Sequence, residues 1–236
     1  MEENNKHDDG GMQKEFKKHL EGATSTFKDI QNPGKFDFKT EFMNAVEILK
    51  LNEKKITEVA TRKTTATAAF LFILMGMVAM SLGMYLMFPS AWRPSVMYLL
   101  FSMVYYLVAM FLLIFATDFV GSQFFKGKGD FGQLFRAFGY SYILMVPYIL
   151  LAVAPGLTSI ISLVTGVWML VVSYKIITVI KKLNPTHTIF TILIVAVGLG
   201  VISAILAQFG IGFGYGAVSG SEVNSLNEAL DALSRF

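Results

Sequence analysis

RAFGYSYILMVPYILLAVAPGLTSIISLVTGVWMLVVSYKIIT, residues 136 to 178, decides how many times this chain crosses a bilayer. Apart from Arg136 and Lys175 near its ends the run carries no charge, and it is about twice the roughly 20 residues that a helix rising about 1.5 Å per residue needs to cross a hydrocarbon core. Ala154-Pro155-Gly156 breaks it near the middle, because the residue before a proline leaves the helical region and glycine favours a turn. The run therefore predicts a tight hairpin of two spans, Arg136 to Ala154 and Leu157 to Thr178.

Outward from this hairpin, three more segments reach spanning length: Thr65 to Met87, Ser95 to Asp118 and Thr188 to Phe209. Five spans put the two ends of the chain on opposite sides of the membrane. Composition agrees, since 54% of the 236 residues are hydrophobic and only 16% charged, unlike an ordinary soluble domain. The expected class is an all-α polytopic membrane protein: a bundle of five transmembrane helices, with amphipathic N-terminal helices and a short C-terminal helix. The expected division is residues 1–64, a polar cytoplasmic region; 65–213, the spans; and 214–236, an extracytoplasmic tail.

Lysine and arginine close to span ends are retained on the cytoplasmic side. Lys50, Lys54, Lys55, Arg62 and Lys63 precede the first span, Lys126, Lys128 and Arg136 lie between the second and third, and Lys175, Lys181 and Lys182 flank the fourth-to-fifth connection. Against these eleven stand Arg93 and Arg235. The N-terminus is expected inside and the C-terminus outside. A prokaryotic plasma membrane suits the lysine-rich loops, with Golgi or endoplasmic reticulum membrane as the alternative.

No cysteine is present, which removes disulfides, thiolate metal sites and cysteine nucleophiles. His7, His19 and His187 are scattered without a metalloprotease spacing. Met77, Met80, Met84 and Met87 share one face of the first span, but without a histidine or cysteine for capture they read as adaptable packing rather than a Cu(I) ladder. Gly212 to Gly216, GFGYG, follows a completed span instead of a pore helix and does not read as an ion filter. No cofactor, metal or nucleic-acid partner is expected.

The second-to-third connection, FKGKGDFGQLFRAFGYS from Phe125 to Ser141, raises the question of a phosphate loop. A P-loop needs a hydroxyl after its glycine-lysine, and Lys128 is followed by Gly129-Asp130. A dinucleotide turn needs a preceding strand, and here a membrane helix precedes. The segment reads as a flexible connection. It resembles the core signature of the Yip family of five-span membrane proteins: Gly127, Lys128 and Gly129, then Phe131, then the leucine-phenylalanine lead-in to Gly139, Tyr140 and Ser141. Trp168 in the fourth span also agrees. Pro147 stands nearly a turn later than the family's usual proline, and the aspartate-leucine-tyrosine-glycine-proline motif of the trafficking members is missing. The resemblance implies membrane organisation or partner recruitment rather than catalysis.

Asp118, at the end of the second span, is expected to meet water, to ion-pair with Arg136 or Lys175 at the same end of the third and fourth, or to serve a proton relay. Lys175 can also snorkel to the interface. Gly76, Ala79 and Gly83, and Ala196, Gly200 and Ala204, form small-residue faces that let helices approach closely, within one chain or in a homo-oligomer. The alternative function, a small transporter or channel, would need polar groups converging at mid-depth; Tyr105, Tyr106, Tyr140, Ser141, Tyr142, Ser162 and Thr165 are the candidates. Phe16, Leu20, Ala23, Phe27 and Ile30 recur at helical spacing, as do Phe38, Phe42, Val46 and Leu49, whose opposite face carries Lys39, Glu41, Glu47 and Lys50. Those apolar faces seek the bilayer, the spans or a protein partner. Ser221 is expected to cap a short helix bearing Val223, Leu226, Leu230 and Leu233.

Overall fold

A computed structural model describes residues 9–31, 36–89 and 93–208 of the chain. Contacts group residues 1–192 into one compact unit and 193–236 into a second. The helices are α1 (Asp9–Gln31), α2 (Phe38–Leu49), α3 (Glu53–Thr61), α4 (Ala66–Leu86), α5 (Val96–Gln123), α6 (Phe131–Ser141), α7 (Thr158–Lys181) and α8 (Pro185–Gln208). Among the described residues, five segments have the length and apolar composition to cross a membrane, 63–86, 99–123, 131–152, 155–181 and 185–205. The expected Ser221 helix and the GFGYG stretch lie outside the described residues.

The third span departs from the expected α-helix. It is α-helical only to Ser141 and continues as a 3-10 helix from Tyr142 to Ala152 with Pro147 inside it. Proline removes one backbone donor and crowds the carbonyl four residues earlier. The tighter helix rises about 2.0 Å per residue, so eleven residues cover about 22 Å. The turn to α7 falls at Pro155–Leu157.

Two glycines of α4 admit this segment. A Cβ at Gly76 would lie 2.4 Å from the Tyr142 carbonyl oxygen, and one at Gly83 would lie 1.9 Å from that of Tyr148. Gly139 meets Ala69 in the same way, its Cβ falling 2.6 Å from that of Ala69. Residues 69, 76 and 83 thus meet 139, 142 and 148 in order, so the first and third spans run parallel with their backbones nearly touching. Gly76 and Gly83 pack within the chain, and Ala79 between them is largely buried. Ala196, Gly200 and Ala204 lie on α8 in the second unit.

The start of α4, the end of α5, the start of α6 and the end of α7 come together, and α1 crosses them. Thr67 of α4 donates to the Ile30 carbonyl at 3.2 Å, Gly22 sits against Phe131, and Asp118 of α5 binds Lys181 of α7 and His19 of α1. We call this the capped end. Ile48, Ile56, Val59 and Ala60 of α2 and α3 join Phe72, Phe135, Phe138 and Ile176 in one core. About 60 residues cannot build a strong core alone, and here the N-terminal segment shares that of the spans.

Candidate functional site

Asp118 is fully buried, and its carboxylate is held by the Lys181 ammonium and the His19 Nδ1. This corrects the expected pairing with Arg136 or Lys175. Lys175 and Lys181 are six residues apart, which places them on different sides of α7 at about 100° per residue. Lys175 consequently binds Glu53 of α3. Arg136 turns toward α3 and α1, donating from Nε to the Ala60 carbonyl at 2.7 Å with Asp29 3.8 Å from its Nη1. Lys181 is itself fully buried and also donates to Ser122 Oγ at 2.9 Å and the Gly129 carbonyl at 3.2 Å. A buried charge survives only when paired and hydrogen-bonded, and this cluster supplies both.

The glycine-lysine-glycine turn is built on that cluster. Lys126 adopts a left-handed backbone, φ 52°, which ends α5 and lets the Gly127 N–H reach the Gly121 carbonyl at 2.8 Å. Lys128 then donates its N–H to the Lys181 carbonyl at 2.8 Å, clamping the connection to the end of α7. Gly129 has φ +69° and lies so close to Ile180 that a Cβ would stand 2.8 Å from its carbonyl oxygen. Asp130 caps α6, accepting from the Gln133 N–H at 2.8 Å. Phe131 stacks on Phe135 and Phe111.

A second buried network joins α2, α3 and α6. The Tyr140 hydroxyl donates to Glu41 Oε2 at 2.5 Å, Asn44 donates to the same oxygen at 2.8 Å, and Arg62 Nη2 holds Oε1 at 2.7 Å. Glu41 therefore leaves the solvent face expected for it and turns inward, because three donors replace its water. Ser141 donates to the Phe138 carbonyl at 2.7 Å, and Trp168 ties α7 to the α2–α3 turn by donating to the Leu49 carbonyl at 3.1 Å.

Helix α1 presents three different sides. His19, Gly22 and Thr26, spaced three and four apart, face the protein: His19 and Thr26 are buried, and Gly22 abuts Phe131. Phe16, Leu20 and Phe27 lie about a third of a turn away and remain 49%, 52% and 46% exposed. Lys17, Glu21 and Ser25 form the remaining, exposed side. The exposed stripe of α5, Met97, Phe101, Val104, Val108 and Leu112, would continue through Phe115 and Phe119. There α1 covers it, with Phe16 on Phe115 at 5.7 Å, His19 beside Phe119 at 5.9 Å and Phe27 stacked on Phe111 at 5.1 Å.

A model of the Yip1 domain matches residues 51–207, more than half of the chain. The chain belongs to the Yip1 family. No curated protein and no solved structure matches it. It is an integral, multi-pass membrane protein in contact with the lipid bilayer. The Yip1 domain begins at Leu51, between α2 and α3. His19 and Glu41, which satisfy the buried Asp118 and Tyr140 of the Yip1 domain, are thus supplied from outside the matched region. Sequence spacing could not announce these pairs, each 99 positions apart.

Proposed function

We propose that this Yip1-domain protein is a non-enzymatic organiser of its bilayer. Its capped end faces the cytoplasm, as the eleven basic residues near that end favour. There α1 lies in the inner interface and widens one leaflet relative to the other. The observation that carries this reading is the three-sided character of α1: one side fixed to the spans, one half-exposed and aromatic, one polar. A helix of that kind seats its apolar residues about 5–10 Å into the headgroup and acyl boundary, and each buried phenylalanine or leucine contributes about 1.5–3 kcal/mol. Because α1 is bolted to the spans through His19 and Asp118, the added volume is delivered at a fixed place. The polar side of α1 remains available to a cytoplasmic protein partner.

Reconstitution into vesicles of graded radius tests this reading. The native protein should favour the smaller vesicles, and Phe16→Ser/Leu20→Ser/Phe27→Ser should lose that preference while remaining inserted. Equal behaviour of the two proteins would refute it. The transporter reading has less support, because three of its candidate hydroxyls serve packing: Tyr140 binds Glu41, Ser141 the Phe138 carbonyl, and Thr165 the Ile161 carbonyl at 2.6 Å and the Tyr148 hydroxyl at 3.2 Å. Saturable solute uptake into proteoliposomes would reverse that ranking.

A further inference from the structure

Beside the Asp118 cluster lies a cleft of about 420 Å³, walled by α1, the end of α5 and the connection from Lys126 to Phe131. Its chemistry is unbalanced. Lys18, Lys126 and Lys128 line it, all exposed, and none forms an ion pair among the described residues. Of the two carboxylates in the wall, Asp118 is already ion-paired with Lys181 and hydrogen-bonded by His19, and Asp130 is engaged at the N-cap of α6. Three ammonium groups thus share one concavity with a single carboxylate that is not itself ion-paired.

The buried wall adds donors. His19 lines the cleft and is 6% exposed; its Nδ1 is committed to Asp118, and its buried Nε2 has no hydrogen-bond partner. A buried ring nitrogen left without a partner is uncommon and calls for a missing group. Ser122 accepts from Lys181, which leaves its own hydroxyl hydrogen to donate.

We propose that this cleft takes a phosphate group, with Lys18, Lys126 and Lys128 supplying charge and His19 and Ser122 supplying donors from the wall. Recognition is by side chains and differs from a P-loop in mechanism. The amides of Lys126, Gly127 and Lys128 already bind the Ser122, Gly121 and Lys181 carbonyls, so the loop cannot wrap a phosphate with its backbone. Its glycines hold the turn tight, and its two lysines project on either side of Gly127. Lysine acts as a point charge toward phosphate and tolerates several ligand orientations. Because Nδ1–H serves Asp118, the His19 Nε2 meets a phosphate oxygen through one shared proton, carried by the ring or by the phosphate.

Phosphate reaches such a place from two sources, the headgroup of a membrane lipid or a soluble phosphate compound. The cleft lies where α5 ends and α6 begins, the level at which headgroups sit if these helices span. This inference rests on the membrane placement of the chain and is independent of leaflet shaping by α1.

The test uses the full chain in phosphate-free neutral detergent, titrated separately with inorganic phosphate and with short-chain phosphatidylglycerol, and read by calorimetry. Lys126→Gln/Lys128→Gln changes only exposed side chains, so the fold is retained. Binding of either probe should weaken about tenfold or more in this variant, and also in His19→Gln, whereas Lys54→Gln/Lys63→Gln, an equal charge change elsewhere, should bind as the native protein does. Binding of both probes identifies a general phosphate site, and binding of the lipid alone identifies a headgroup site. Failure of the native protein to bind either probe, or equal weakening by the Lys54/Lys63 pair, overturns the proposal. Vesicle-size preference is unaffected in Lys126→Gln/Lys128→Gln, because neither lysine fastens α1 to the spans.

Discussion

Tyr140, ten residues into the third span, donates its hydroxyl to Glu41 of α2, which Arg62 and Asn44 also hold. One buried carboxylate thereby joins a helix outside the matched Yip1 domain to two helices inside it. Tyr140→Phe removes one charge-assisted bond while keeping the ring against Phe72, and should cost about 1.5–3 kcal/mol in thermal unfolding in detergent. With Glu41→Gln in a double-mutant cycle, the coupling between the two should be at least about 0.5 kcal/mol. Additive effects would show that the bond is not formed.

Asp118→Asn leaves the Lys181 ammonium buried without its carboxylate. Breaking one side of such a pair costs about 3–5 kcal/mol, and removing both sides together costs less. Asp118→Asn/Lys181→Met should therefore be more stable than Asp118→Asn alone. If Asp118→Asn melts like the native protein, Asp118 is solvated and the pairing is wrong.

Gly83→Ala and Gly76→Ala test the close approach of α4 to the 3-10 segment. Added methyl groups would meet backbone, which cannot rotate away, so each should cost about 1–3 kcal/mol or more. Gly166→Ala on α7, where nothing lies within 4 Å, should change stability by no more than about 1 kcal/mol. Equal effects at the three positions would contradict the packing.

Acid should loosen α2 from both ends. The Thr40 hydroxyl, with the Thr40 and Lys39 amides, holds the Asp37 carboxyl below the usual carboxylate range, and the Asn52 amide and Lys50 do the same for Glu47. Both folded values are depressed, so their stabilisation is present above the unfolded values of about 4 and is lost as pH falls through the folded ones. Hydrogen exchange of α2 should accelerate below about pH 4. Asp37→Asn/Glu47→Gln should flatten that dependence, and an unchanged profile would remove these two groups as its cause.

The spans were legible because hydrocarbon thickness sets their length, and the 155-to-157 turn because proline and glycine fix it. The 3-10 stretch was not, although Pro147 stood in plain view: whether a proline kinks, tightens or ends a helix depends on what packs beside it, here Gly76 and Gly83. Lys181 sat beside Lys182 and read as a topology signal, and His19 read as isolated. Their meeting at Asp118 depends on α1 folding back over the spans, which no local spacing encodes. The glycine-lysine-glycine turn lacks the hydroxyl of a P-loop, and its amides serve carbonyls of the chain itself; the lysines around its cleft become a cluster only once Lys18 arrives from α1.

The account turns on α1 lying in the interface with Phe16, Leu20 and Phe27 toward lipid. The absence of native cysteine makes the decisive measurement direct: single cysteines at positions 16, 20, 27, 17, 21 and 25, labelled by a membrane-impermeant maleimide in vesicles opened to both sides. Positions 17, 21 and 25 should label at least about tenfold faster than 16, 20 and 27, a gap of about 1.4 kcal/mol in accessibility, comparable to the partial burial of one such side chain. Equal rates at all six positions would place α1 in water and contradict the account.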